Sequence, residues 1–137
     1  MTKSTKSNTI LVPISIGELF DKITILEIKA LRITDELKRA NVTRELSVLK
    51  TIAIDSLQLD TEGLTLVDRL RRVNTLLWDV EDGIRDCERN KDFGNRFVEL
   101  ARSVYCHNDK RALLKKRLNE ITGSELVEEK SYSGYGT

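Results

Sequence analysis

The 137-residue sequence has few of the residues that interrupt helices, cross-link a chain or bind metals. It has one proline (Pro13), one histidine (His107) and two cysteines, and aromatic residues make up only 5%. Few aromatics disfavour a β-sandwich or small barrel, and a chain without proline after position 13 is free to form long helices. Two cysteines inside helical patterns indicate reduced packing residues rather than a disulfide framework.

Long apolar runs and an excess of charge of one sign are also missing. The longest apolar run, residues 9–16, is interrupted by Pro13 and too short to span a bilayer, and no apolar core of a secretion signal follows the polar first eight residues. The formal net charge of +1 does not favour nucleic acid or an anionic membrane as a partner. We therefore expect a cytoplasmic protein without a membrane or nucleic-acid partner.

Apolar residues recur at helical spacing over most of the chain, which predicts an all-α fold of long antiparallel amphipathic helices in a bundle. Ser15 and Glu18 form a capping box that starts the first helix, and Gly123 is a natural stop for the last one. We expect a disordered tail over 1–8, one helical domain over 9–123 that opens with a short extended arm, and an irregular tail over 124–137. This last tail is either loose or folded back over the helices.

Three features of this outline are less sharply defined. The apolar arm before Ser15 could lie over the core or form an edge strand. Residues 16–57 could be one helix or two, with Asn41 ending the first and Thr43 capping the second. Residues 60–63 predict a turn, and residues 90–95 predict another between the third and fourth helices.

A polar stripe lies beside the apolar seam of the third helix, and the seam of the fourth helix is interrupted by His107 and Arg111. If these helices form a hairpin, Asn74 lies level with Arg111 and Trp78 level with His107. Buried polar groups need partners, so this level predicts a ligand-binding site. The first helix, or that of a second subunit, contributes Glu18 and Lys22. The other candidate residues of this site lie on the third and fourth helices: Asn74, Trp78, Glu81, Arg85, Arg102, Tyr105, Asn108 and Arg111.

Other chemistry is less well supported. Glu18 with Asp21, and Asp79 with Asp82, are acidic pairs of the kind that can hold Mg²⁺, but they are far apart in sequence. The basic end of the fourth helix wraps around the helix and is flanked by acids, which does not favour nucleic-acid binding. No catalytic residue, metal ligand or cofactor is predicted.

Several blocks resemble a small bacterial and phage family of uncharacterised all-helical proteins, a domain of unknown function. The first block is SIGELFDKITILEIK over residues 15–29. The other blocks are Asn74 with Leu77, Trp78, Glu81, Ile84 and Arg85; residues 101–105 and 108–112; and Ser124, residues 128–130 and Tyr132. The resemblance covers nearly the whole chain after residue 9 and implies no activity.

The sequence leaves two functional hypotheses, and it does not decide between an enzyme and a binding protein. The first is a helical interaction module, coiled-coil-like and homodimeric, with a possible protein partner, because continuous helical seams in a short chain favour self-association. The alternative is a small enzyme or ligand sensor with a polar site between the third and fourth helices. A phosphate- or sugar-containing ligand would suit that site.

Overall fold

The computed structural model describes residues 8–135, and the expected tail over 1–8 lies outside the described residues except for Asn8. The chain forms four helices, α1 (Ile16–Arg32), α2 (Glu36–Ser56), α3 (Thr61–Arg89) and α4 (Asn95–Thr122). No β-strand occurs within residues 8–135. The prediction of an all-α fold is confirmed.

α1 begins where the capping pattern places it. Ser15 is the N-cap, and its hydroxyl accepts a hydrogen bond of 3.1 Å from the backbone N–H of Glu18. This bond satisfies one of the free N–H groups of the first turn. The carboxylate of Glu18 turns away from the cap and forms an ion pair with Lys115 of α4, which fixes the start of α1 against α4.

Residues 16–57 form two helices, but the expected boundary at Asn41 and Thr43 is wrong. α1 ends at Arg32, Ile33 is extended, and Asp35 caps α2 by accepting from Lys38 N–H at 2.9 Å. Asn41 and Thr43 lie inside α2, where the Thr43 hydroxyl donates to the Arg39 carbonyl of the preceding turn. The helical spacing of apolar residues continues across the break, so spacing alone did not reveal it.

The expected turn over 60–63 is the start of α3 instead. Asp60 is the N-cap, and its carboxylate accepts from Gly63 N–H at 2.9 Å, so Thr61 to Gly63 form the first helical turn. α3 and α4 pack as an antiparallel hairpin connected by residues 90–94. Gly123 ends α4 in a left-handed conformation with φ 66°, as predicted.

The core lies where α1 crosses the other helices. α1 packs against α2, α3 and α4, whereas α2 packs closely against α1 alone. The buried apolar cluster consists of Leu19, Phe20 and Ile23 of α1, Ala53 of α2, Leu66, Val67 and Leu70 of α3, and Leu118 of α4. α1 is therefore the central element, and α2 packs back along it so that Ala53 reaches the core.

The N-terminal arm is exposed, whereas the C-terminal tail is held against α4. Ile10 and Leu11 of the extended arm are almost fully exposed, so the interpretation of the arm as a cover for the core is wrong. The tail after Gly123 has no regular structure and returns along α4. Two ion pairs hold it there. Lys115 Nζ donates to Glu128 Oε2 at 2.9 Å, and Lys130 Nζ donates to Asp109 Oδ1 at 2.8 Å.

Candidate functional site

A buried carboxylate, Asp21 in the second turn of α1, is the centre of a polar cluster that joins three helices. Its side chain is only 1% exposed. The amide of Asn74 on α3 donates to Asp21 Oδ1 at 2.9 Å and to the Thr24 hydroxyl at 3.0 Å. Because unpaired buried polar atoms are costly, these bonds fix the side chains of Asp21 and Asn74 relative to each other.

Arg111 of α4 completes the environment of Asp21. Its Nε donates to Asp21 Oδ1 at 2.9 Å, and its Nη2 donates to Asp21 Oδ2. This is the bidentate arrangement that matches a planar guanidinium to a carboxylate. The guanidinium is partly exposed on its other side, so Arg111 connects the buried carboxylate to the surface.

Lys115 lies one helical turn after Arg111, and its side chain is nearly as buried as that of Asp21. Its Nζ is 2.6 Å from Glu18 Oε2, 2.9 Å from Glu128 Oε2 and 3.9 Å from Asp21 Oδ2. The lysine side chain is 10% exposed, whereas that of Glu128 is 64% exposed. One ammonium group therefore has two carboxylate partners in the body of the protein and one that comes from the tail.

The pKa values follow from these contacts. Burial alone would raise the pKa of Asp21, but hydrogen bonds from Arg111 and Asn74 outweigh it and leave that pKa below its ordinary value. Burial likewise would lower the pKa of Lys115, but its bonds to Glu18 and Glu128 raise it. Both groups are therefore charged at neutral pH.

Close contact between α1 and α4 makes this geometry possible. Gly17 N–H donates to Asn119 Oδ1 at 2.7 Å, and Ile16 N–H donates to the Ser124 hydroxyl at 3.1 Å. These bonds satisfy N–H groups that the first turn of a helix leaves free. A Cβ on Gly17 would lie 2.5 Å from the Lys115 carbonyl oxygen, so only glycine permits this approach.

Arg111 and Lys115 open into a cleft of about 480 Å³ between α4 and the returning tail. The cleft is lined by Asn108, Arg111, Ala112 and Lys115 of α4, and by residues 128–132 of the tail, which include Lys130, Ser131 and Tyr132. Lys130 lies 5.6 Å from the centre of the Tyr132 ring. The lining combines three cations, the two carboxylates of Glu128 and Glu129, hydroxyl and amide groups, and an aromatic ring.

The structure brings four of the ten predicted site residues into this region. Glu18 and Asn74 belong to the cluster behind the cleft, and Asn108 and Arg111 line the cleft itself. Asn74 and Arg111 are at the same level, as the hairpin alignment predicted, and they meet through Asp21. Lys22 lies at the edge, exposed and 3.9 Å from Glu18.

The other five predicted residues lie outside the cleft. Trp78 is half-buried one turn further along α3. Glu81 and Arg85 are exposed and form an ion pair with each other at 2.9 Å. Arg102 and Tyr105 are exposed on α4, where the Arg102 Nε donates to the Tyr105 hydroxyl at 3.4 Å.

Sequence reasoning missed the residues that hold the cluster together, namely Asp21, Thr24, Lys115, Asn119 and Glu128. Asp21 was considered only as half of an acidic pair. Lys115 was considered only as part of the basic end of α4, although it lies four residues after Arg111 and thus on the same helical face. All four blocks that carry the family resemblance supply residues to this cluster and its cleft.

Clusters of metal-ligating side chains and membrane-spanning helices are both absent from residues 8–135. That range contains no group of three or more His, Cys, Asp or Glu side chains placed to hold a metal ion. Nor does it contain a helix that is both long enough and apolar enough to cross a membrane.

Comparison with known proteins identifies a family. No significant match was found among curated proteins or among solved structures. A protein family described as a family of unknown function, DUF6165, matches residues 10–136, which is nearly the whole chain. The chain therefore belongs to the DUF6165 family of unknown function.

Proposed function

We propose that this protein binds a small ligand with a carboxylate or phosphate group in the cleft between α4 and the returning tail. The observation that carries the proposal is the position of Glu128, whose carboxylate lies 2.9 Å from Lys115 Nζ at the cleft wall. Glu128, a largely exposed residue of the tail, thus occupies a position next to the buried Lys115 where the anionic group of a ligand could bind instead.

The cations of the cleft are held in position before any ligand arrives. Arg111 is oriented by both oxygens of Asp21, and Asp21 is held in turn by Asn74. Side chains fixed by such supporting contacts bind a ligand without losing much conformational freedom. The supporting carboxylates also balance the charge of Arg111 and Lys115 when the cleft holds no ligand.

Glu128 is the anion that can be exchanged. Glu18 approaches Lys115 from α1, and Asp21 is fully buried, whereas Glu128 lies on an irregular segment and is 64% exposed. Lys115 is buried, but the Glu128 carboxylate is largely in solvent and Lys115 keeps its contacts with Glu18 and Asp21, so Glu128 is the partner that is most easily displaced. A carboxylate or phosphate oxygen at the same place would keep Lys115 paired.

The rest of the cleft suits a ligand with hydroxyl groups. Asn108, Ser131 and Tyr132 offer hydrogen-bond donors and acceptors, and Lys130, which is paired with Asp109, adds a further cation. A sugar phosphate combines these properties, as does a hydroxy acid. A cytoplasmic location, with which two free cysteines are compatible, is part of the proposal.

The test is a thermal-shift and calorimetric titration of the full chain with glucose 6-phosphate, inorganic phosphate and citrate, at constant ionic strength. A ligand at 100 times its dissociation constant should add about 2.7 kcal/mol to the free energy of unfolding. Glu128→Gln removes the competing carboxylate, and we expect it to tighten binding about 2–5-fold, because the largely exposed Glu128 carboxylate is a weak competitor for Lys115.

Glu125→Gln is the matched control, since Glu125 lies on the same tail but does not line the cleft. It should leave the affinity unchanged. If none of the three probes binds the natural chain or Glu128→Gln, the proposal is wrong. Binding that Glu128→Gln and Glu125→Gln alter equally would show that the tail acts only through its overall charge, which also contradicts the proposed site.

A further inference from the structure

The tail after Gly123 is fastened along α4 by its side chains. Its contacts move back along α4 as the tail moves forward: Glu128 on Lys115, Lys130 on Asp109, and Tyr135 on Tyr105. The last of these is a contact between two aromatic rings whose centroids are 4.9 Å apart. We call residues 125–135 the strap. The strap therefore runs antiparallel to α4, and its contacts cover more than two turns of that helix.

The strap is attached firmly at its root and weakly along its length. At the root, the Ser124 hydroxyl accepts from Ile16 N–H at 3.1 Å and donates to the Leu126 carbonyl at 2.7 Å. Beyond the root, the strap contains no helix or strand, and Leu126 and Tyr132 are 42% and 84% exposed. A segment with so little buried apolar surface opens locally at a small cost in free energy. Loss of one side-chain contact should therefore loosen the others.

We propose that the strap is autoinhibitory: docked on α4, it places the Glu128 carboxylate on Lys115, and an anionic ligand that takes this position moves the strap away from α4 as far as Tyr135. The inference rests on the proposed function for its ligand, whereas the docking of the strap as one unit rests on its contacts with α4. Arg111 stays in place when the strap moves, because Asp21 holds it from the opposite side. The cleft thus opens by movement of one wall, and its two α4 cations remain where the ligand needs them.

The far end of the strap shields a thiol that reports its position. Tyr135 lies beside Cys106, and the hydrogen bond between their side chains is the main reason why the pKa of Tyr135 is raised to about 12. Cys106 is partly buried, whereas Cys87 has no exposed surface. Cys106 precedes Lys115 by nine residues, which is about 14 Å along α4. A change at Lys115 should therefore reach Cys106 through movement of the strap.

The docking of the strap is tested without a ligand, by the rate at which iodoacetamide alkylates Cys106 in the full chain. Iodoacetamide is uncharged, and peptide mass spectrometry separates Cys106 from Cys87. Glu128→Gln weakens the contact with Lys115 and should raise the rate at least about threefold, because the strap then opens more often. Glu129→Gln removes the same charge one residue further along, where Glu129 has no hydrogen-bond or ion-pair partner within residues 8–135, and it should leave the rate unchanged.

The inhibition is tested with citrate, glucose 6-phosphate and inorganic phosphate. A probe that binds should accelerate the alkylation of Cys106, whereas sodium chloride at the same ionic strength should not. Tyr135→Ala loosens the strap at a residue that does not line the cleft, and it should tighten binding of the probe about 2–5-fold, since the open state becomes more populated. Ser133→Ala is the matched control on the same segment, and it should leave the affinity unchanged.

The outcomes separate this inference from the proposed function. Equal alkylation rates in Glu128→Gln and the natural chain, or equal increases in Glu128→Gln and Glu129→Gln, would overturn the strap as one unit. A probe that binds by calorimetry without accelerating the alkylation, or that binds Tyr135→Ala no more tightly, would overturn the inhibition and leave the proposed function standing. Absence of binding in both the natural chain and Tyr135→Ala would overturn both, since a loosened strap leaves Lys115 accessible to the probe.

Discussion

Arg111 and Asp21 form a bidentate ion pair across 90 residues of sequence, with Nε and Nη2 of the arginine on the two carboxylate oxygens of the aspartate. The pair joins α4 to α1, and Asn74 adds α3 through the same carboxylate. Three of the four helices are thus oriented by one buried side chain, which makes Asp21 the natural place to test the structure.

We expect Asp21→Asn to lower the free energy of unfolding by about 3 kcal/mol, because it leaves the partly buried Arg111 without its carboxylate. The matched control is Asp79→Asn, which breaks the exposed pair with Arg32 and should cost less than about 1 kcal/mol. Urea unfolding followed by circular dichroism gives both values. Equal losses in the two variants would mean that the buried pair does not orient the helices.

The pH dependence of stability should show the lowered pKa of Asp21. A carboxylate with a lowered native pKa contributes its full stability above its unfolded pKa, whose ordinary value is 3.8, and loses it as the pH falls through the native value. We therefore expect the stability difference between the natural chain and Asp21→Asn to be constant over about pH 6–7 and to shrink in acid, where both side chains are neutral. Urea titrations from neutral pH into the acid range measure it, and a difference that grows in acid would contradict the sign.

Gly17→Ala should destabilise the protein by roughly 1–3 kcal/mol, the usual cost of forcing atoms into a packed contact. The new Cβ would lie 2.5 Å from the Lys115 carbonyl oxygen, and backbone atoms cannot easily move away. Gly83→Ala is the control in α3, where the nearest atom is a Leu100 methyl at 3.0 Å that can shift. Since alanine favours a helix over glycine by about 1 kcal/mol, that variant should be neutral or more stable. Thermal unfolding compares the two, and a neutral Gly17→Ala would show that α1 and α4 are less closely packed.

Asp35→Ala should cost about 1 kcal/mol, because it removes the N-cap of α2 and its bond to Lys38 N–H. Thr43→Ala, within the exposed middle of α2, should be neutral or slightly stabilising, since alanine is the better helix former. Chemical denaturation distinguishes the two. The reverse order would place the start of the helix near Thr43, which was one of the two alternatives that the sequence left open.

The sequence by itself determined the fold class and those helix ends that have local chemical signals. Ser15 and Gly123 were found because a capping hydroxyl and a left-handed glycine act within one turn. The antiparallel hairpin and the shared level of Asn74 and Arg111 followed from the spacing of apolar residues in α3 and α4. These features depend on neighbours in the chain or on one hairpin, so a linear pattern contains them.

Only the tertiary structure decided which polar side chains meet. Asp21 links Asn74 to Arg111 because α1 packs against both α3 and α4, with a close approach to α4 at Gly17, and neither this approach nor the return of Glu128 to Lys115 is encoded in helical spacing. The break at Ile33 was hidden for a related reason: apolar spacing continues through it from α1 into α2. Burial and charge pairing depend on which helices cross and where, and this is a property of the packed chain rather than of any single segment.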